Sequence, residues 1–153
     1  MTSLRFTIPG EPVPKLRARQ AQLPNGRMHS YTPTKTARYE ERVAWACKAA
    51  SRGSQFDPGA PLCVEAWFYV PIPKSLSKRQ QEALRGEWCT KKPDTDNLLK
   101  SILDGCNGIA YKDDNQIALT VARKIYSDCP RVEVDITILG RRKTASQDRR
   151  DDE

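Results

Sequence analysis

The feature that most narrows the possible folds is a hydrophobic period that switches repeatedly between two and about 3.6 residues. Leu4, Phe6 and Ile8 alternate with polar neighbours, the pattern of a half-buried strand. From residue 34 the pattern turns helical through "TARYEERVAWACKAASRG" and stops near Gly53. "PLCVEAWFYVPIP" predicts a strand over residues 62–70, ended by Pro71 and Pro73. Ser77 followed by Gln80 resembles a capping box, opening a short helix to about residue 84. Another helix is expected over residues 97–107. Two strands close the series. Ile117, Leu119, Val121 and Ile125 fall on one face of the first, and Val132, Val134, Ile136 and Ile138 alternate through the second. The "SDCPR" between them predicts a hairpin. The order of elements predicts an α/β (α+β) domain with a small mixed sheet of about four strands and about three helices.

A chain of 153 residues suits one domain with one core, expected over residues 1–140. Residues 9–33 are rich in Pro, Gly, Gln and basic residues and read as a long mobile loop. Loops of that length in compact domains tend to be functional or disordered. Residues 141–153 are charged, almost without apolar side chains, and expected to be disordered. Trp45, Trp67 and Trp88 are expected in the core or at an interface.

Composition excludes several chemistries. No apolar run approaches the roughly 18 residues of a membrane span, and the first residues lack a secretory signal. A cytoplasmic protein with no membrane partner is the expectation. The 5 cysteines are scattered without a C-x-x-C pair, and His29 is the only histidine. A disulfide framework, a structural zinc site and a histidine-based nucleophile mechanism are all disfavoured. Any hard metal would need oxygen ligands. No nucleotide cofactor is expected.

The net charge of +7 is compatible with a polyanionic partner or with a merely solvated basic face. Its distribution is more telling. Lys15, Arg17, Arg19, Arg27, Lys35 and Arg38 follow one another with no acidic residue among them. Lys74, Lys78 and Arg79 precede Lys91 and Lys92. Between the second cluster and the closing strands stands an acidic focus, Asp94, Asp96, Asp104, Asp113 and Asp114.

That focus begins in "KKPDTDNLLKSILDG". Leu98, Leu99, Ile102, Leu103 and Cys106 form one helical stripe, with Asn97, Lys100, Ser101 and Asp104 on the other side. If the segment before the helix is extended, Asp94 and Asp96 point the same way and can converge on Mg²⁺. Taken singly, each part has an ordinary explanation. Asp96 can cap the helix, Lys100 and Asp104 can be an i,i+4 surface pair, and "KDDNQ" can be a turn. Taken together, massed carboxylates repel one another unless a cation is bound. If the chain returning from the helix brings Asp114 toward Asp96, the set makes sense around Mg²⁺.

The whole stretch "KKPDTDNLLKSILDGCNGIAYKDDNQI" resembles the signature of the RusA family of Holliday junction resolvases: D-x-D-N, a lysine four residues after the second aspartate, a helical aspartate four further on, and D-D before a strand. Asp94, Asp96, Asn97, Lys100, Asp104, Asp113 and Asp114 match it, and the likeness extends over "GEPVPKLRARQ", "YTPTKTARYEE" and "PIPKSLSKRQQ". The resemblance implies a RusA-like fold and a homodimeric, Mg²⁺-dependent endodeoxyribonuclease that resolves four-way DNA junctions by paired symmetric cuts in recombination and repair, with Mn²⁺ able to substitute. It also implies that Asp94, Asp96 and Asp114 are metal-binding catalytic residues and Lys100 the catalytic lysine, with Asp113 in support. Asn97 and Asp104 are added as orienting groups, and Lys15, Arg17, Arg19, Arg27, Lys35 and Arg38 become a candidate DNA-binding arm. The alternative is a non-catalytic, structure-specific DNA-binding protein of the same fold. Against it, a pure DNA binder gains nothing from negative charge beside phosphates.

Overall fold

A computed structural model of the chain describes residues 1–31 and 33–141. Strand β1 (Ser3–Pro9) buries Leu4, Phe6 and Ile8, and a basic hairpin follows, β2 (Arg19–Gln22) with β3 (Met28–Tyr31). Helix α1 (Thr34–Ser51), strand β4 (Leu62–Pro71) and helix α2 (Lys78–Leu84) come next. Helix α3 (Thr95–Cys106), a 3-10 turn (Asp114–Gln116), β5 (Ile117–Ser127) and β6 (Arg131–Ile138) complete the order. The mixed α+β architecture is as the sequence predicts. Ser77 and Gln80 do form a reciprocal capping box at α2. Of the predicted tail, residues 142–153 lie outside the described residues.

The main sheet has the order β1-β6-β4-β5, with β4 parallel to β5 and antiparallel to β6. Both crossovers, β1 to β4 through α1 and β4 to β5 through α2 and α3, advance in the same direction across the sheet. The common right-handedness of such crossovers then puts α1 and α3 on one face. There they bury Tyr39, Val43 and Cys47 from α1, and Leu98, Ile102 and Cys106 from α3, against Val64, Ala66, Phe68, Val132, Val134 and Ile136.

Two expectations about the closing strands are overturned. β5 and β6 do not form a hairpin, because β4 lies between them. β4 carries the denser apolar sequence and takes an inner position, where both edges are paired; β5 keeps an edge. Nor do Ile117, Leu119, Val121 and Ile125 share a face. An irregularity opposite Leu62/Cys63 pairs Ile117 with Leu62 and then Leu119 with Cys63. Ile117 packs on the core, whereas Leu119 lies on the open face and is exposed.

The predicted mobile loop is also replaced by built structure. Val13 is buried in the core, and its carbonyl accepts the Ser101 hydroxyl at 2.8 Å. The Lys15 amide donates to the Asn97 carbonyl at 2.8 Å, and Thr36 Oγ1 accepts the Leu16 amide. This strap crosses from α3 to α1. Beyond it, every residue of β2 and β3 is exposed, so the hairpin projects as an arm. Gly26, with φ at 82°, turns the arm at its tip, where Asn25 accepts the Arg27 amide. Trp45 and Trp88 are not in the core; they are 66% and 63% exposed.

Candidate active site

Helix α3 begins two residues earlier than expected. Asp94 occupies the N-cap position in extended geometry, and Asp96 is already in the first turn. The predicted extended D-x-D therefore does not form. Asp96 is not the N-cap, and the Asp94 carboxylate makes no side-chain cap bond. Asp96 Oδ1 accepts the Asn97 amide at 2.9 Å. A carboxylate in the first turn is favoured by the unpaired amides and positive end of the helix. Both side chains stay in solvent, with lone pairs free for a further partner.

The core-facing side of α3 is largely the predicted one, with one correction. Ser101, expected on the polar side, is fully buried because its hydroxyl holds the Val13 carbonyl. The exposed side carries Asp96, Lys100 and Asp104 at intervals of one turn, spanning about 12 Å of helix. The Lys100 ammonium stands 3.8 Å from Asp104 Oδ1, a loose surface contact that leaves it free to take another anion.

Asp104 has a second and closer cation that sequence spacing could not reveal. Lys15 Nζ lies 3.1 Å from Asp104 Oδ2 and 2.5 Å from Glu40 Oε1, tying the strap to α3 and α1 together. Burial opposes the Lys15 charge, yet hydrogen bonds to Glu40 and Asp104 hold its pKa above the ordinary lysine value. Lys15 is thus a half-buried element of the acidic region. Arg17, Arg19, Arg27, Lys35 and Arg38 are exposed, as a polyanion-binding arm requires. Glu40 was not singled out from sequence, since only the docking of α1 on α3 gives it a role.

Asp113 caps the 3-10 turn, accepting the Asn115 amide at 2.9 Å, and this holds its carboxyl below the usual range. Asp114 is pushed the other way. Its hydrogen bond with Asp113, some burial, and the charges of Asp113 and Asp104 raise its pKa, while Lys100 lowers it. The turn is positioned from below by Tyr111, fully buried, whose hydroxyl donates to the Leu103 carbonyl at 2.7 Å.

Asp113 is thus the chief influence on the Asp114 carboxyl, with the charges of Asp104 and Lys100 acting more weakly and in opposite senses. Among the described residues, no three His, Cys, Asp or Glu side chains stand close enough together to hold one metal ion. The donor chemistry nevertheless suits a hard divalent cation. The groups are exposed carboxylates, oxygen donors of the kind such a cation takes.

The family model described as "Endodeoxyribonuclease RusA" matches residues 9–137. An "Uncharacterized protein YqaN" from Bacillus subtilis (strain 168) is 36% identical over 140 residues, covering 89% of this chain and 96% of that one. The "Crossover junction endodeoxyribonuclease rusA" of Lactococcus phage r1t is 31% identical over 83 residues, covering 54% and 58%.

Proposed function

Since the chain belongs to the RusA endodeoxyribonuclease family, we propose that it is a Mg²⁺-dependent nuclease that resolves four-way DNA junctions by paired, symmetric cuts, serving recombination and repair. The observation that carries this reading is the exposed stripe of α3. Asp94 and Asp96 open it, Lys100 stands at its middle and Asp104 closes it, with Asp114 on the turn that follows α3.

Asp94, Asp96 and Asp114 would hold Mg²⁺, for which Mn²⁺ could substitute. When bound, the ion would supply an activated water and neutralise charge on the scissile phosphate. Since the three carboxylates are not gathered in the conformation described, substrate binding would have to draw the Asp114 turn and the α3 N-terminus together. Lys100 is the group free to donate to a phosphate oxygen as charge develops in the transition state. Asp104 tethers Lys100 on one side and is itself held by Lys15 on the other. Asp113 fixes the turn that carries Asp114. Asn97 is an exposed neighbour of Asp96, and its carbonyl anchors the strap. The hairpin arm and Arg17, Lys35 and Arg38 would lie along DNA phosphates.

A homodimer belongs to the same proposal, because two symmetric cuts call for two sites related by a two-fold axis. One surface supports it. The sheet face away from α1 and α3 carries Trp67 and Tyr69, stacked with centroids 6.5 Å apart, and, farther along β5, exposed Leu119. Arg123 lies over Trp67 and Arg131 over Tyr69. The charges there, Arg5, Arg123 and Arg131 with Asp135, Glu65 and Glu133, pair off and cancel. A neutral, aromatic face on a basic protein suits a second copy of the chain better than DNA.

The test is a cruciform plasmid incubated with Mg²⁺, comparing wild type with Asp96→Asn, alongside sedimentation of the protein. Paired cutting linearises the plasmid, and the variant should lose activity by at least about 100-fold, as expected for a group acting in the transition state. Equal cutting by both proteins would remove Asp96 from the mechanism. Junction binding without nicking under any divalent metal would instead favour the non-catalytic reading.

A further inference from the structure

The pairing of β5 turns Lys124 toward the helix-covered side of the sheet, opposite Phe68 and between Ala122 and Tyr126. An ammonium directed there needs hydrogen-bond partners to offset its loss of water. Those partners are backbone carbonyls. Lys124 Nζ donates to the Pro93 carbonyl at 2.7 Å and to the Lys91 carbonyl, while the Lys124 carbonyl accepts the Cys89 amide at 2.9 Å. One residue thus ties down residues 89–93, the segment that delivers Asp94 to the N-cap of α3.

The tie extends to either side. Gly86 donates to the Tyr126 carbonyl and Tyr126 to the Glu87 carbonyl, so residues 86–89 run along the edge of β5. Past Cys89 the main-chain pairing stops, and residues 91–93 form no strand or helix. Across that gap the Lys124 side chain takes over from the ladder. Charge-assisted bonds from an ammonium are stronger than the amide bonds they continue. Their effect falls on the residue that follows Pro93.

We propose that Lys124 is a positioning residue for the nuclease site: its ammonium fixes the Lys91–Pro93 strap and thereby the orientation of the Asp94 carboxylate. This rests on the reading of Asp94 as a metal ligand. Lys124 touches neither the metal nor the phosphate in this scheme; it acts through the backbone of its neighbours. A group that orients a ligand commonly matters to metal affinity by 10- to 100-fold.

The experiment compares wild type, Lys124→Met and Lys124→Arg by Mn²⁺ titration followed by electron paramagnetic resonance. Amide exchange and steady-state cleavage of a synthetic junction complete the set. Lys124→Met should bind Mn²⁺ about 10-fold or more weakly. Its amide exchange should quicken over residues 89–97 but not in β1 or β6, and kcat should fall with KM for the junction little changed. Lys124→Arg, which can still donate to two carbonyls, should recover a substantial part of the Mn²⁺ affinity. Wild-type Mn²⁺ affinity in Lys124→Met, or loss of affinity that Lys124→Arg does not restore at all, would overturn the assignment. If Lys124→Met does not fold, Lys124→Gln, shorter and uncharged, takes its place with the same expected outcomes. A wild type that binds Mn²⁺ and cuts junctions beside an equally competent variant sinks only the role of Lys124. A wild type that neither binds nor cuts removes the nuclease reading and this inference with it.

Discussion

Gly105 lies where α3 presses on α1, and adding one methyl group there tests how tightly the two helices hold the site. A Cβ at Gly105 would sit 2.7 Å from both Cβ and Cγ1 of Val43, and 3.1 Å from the Glu40 carbonyl oxygen. Comfortable carbon–carbon contact begins at about 3.5 Å. Rotating Val43 moves Cγ1 but not Cβ, so the helices must separate by roughly 1 Å or lose contact elsewhere. Overpacking of this kind costs about 1–3 kcal/mol. Alanine over glycine in a helix returns at most about 1 kcal/mol. A 2.7 Å approach to a Cβ that no rotamer change can move belongs in the upper half of that cost range, so Gly105→Ala is expected to destabilise by about 1–2 kcal/mol net, a fall in Tm of roughly 2–8 °C for a chain of this size. Thermal unfolding by circular dichroism measures it. Val43→Ala removes the Cγ1 contact but leaves Cβ, so the double variant should be less destabilised than the sum, by about 0.5 kcal/mol or more. An unchanged or higher Tm in Gly105→Ala would refute the close-approach argument and leave helix propensity as the controlling term.

Two further outcomes follow from the electrostatics. Asp113 raises the Asp114 pKa, so protonation removes this proposed metal ligand at a higher pH than usual for an aspartate. Asp113→Asn takes away that influence, and the acidic limb of Mn²⁺ binding should move to lower pH; no movement, or movement upward, would contradict the coupling. Arg19→Ala and Arg27→Ala on the projecting arm should each reduce the salt slope of junction binding by about 1 while leaving the Tm unchanged. An unaltered slope would place the arm off the DNA.

The acidic site shows how far local pattern reaches and where it stops. The seven polar positions from Asp94 to Asp114 were legible because the motif is local and its helix strongly amphipathic. What the motif could not show is that Asp94, rather than Asp96, would start the helix. A helix can begin at either aspartate with similar local energy. The strap across α3 and α1 fixes the surroundings of that choice, through the Lys15 amide and the Ser101 hydroxyl. Lys15 illustrates the same limit: as a sequence position it is one basic residue among several, and only packing makes it the shared partner of Glu40 and Asp104.

By itself, the sequence determined where the main-sheet strands and the helices lie, since alternation and helical periodicity are properties of neighbouring residues; β2 and β3, exposed throughout, carry no such pattern. It also determined the capping box at α2, the inward stripe of α3 and the family to which the motif belongs. Tertiary structure decided the strand order, placing β4 between β5 and β6 against the expectation of a hairpin. That choice is made by competition among strands for the inner, doubly paired positions and by the handedness of two crossovers. Neither is written in any short stretch of the chain. The same arrangement decided which side of β5 faces the helices, and so brought Lys124 to the carbonyls that precede Asp94.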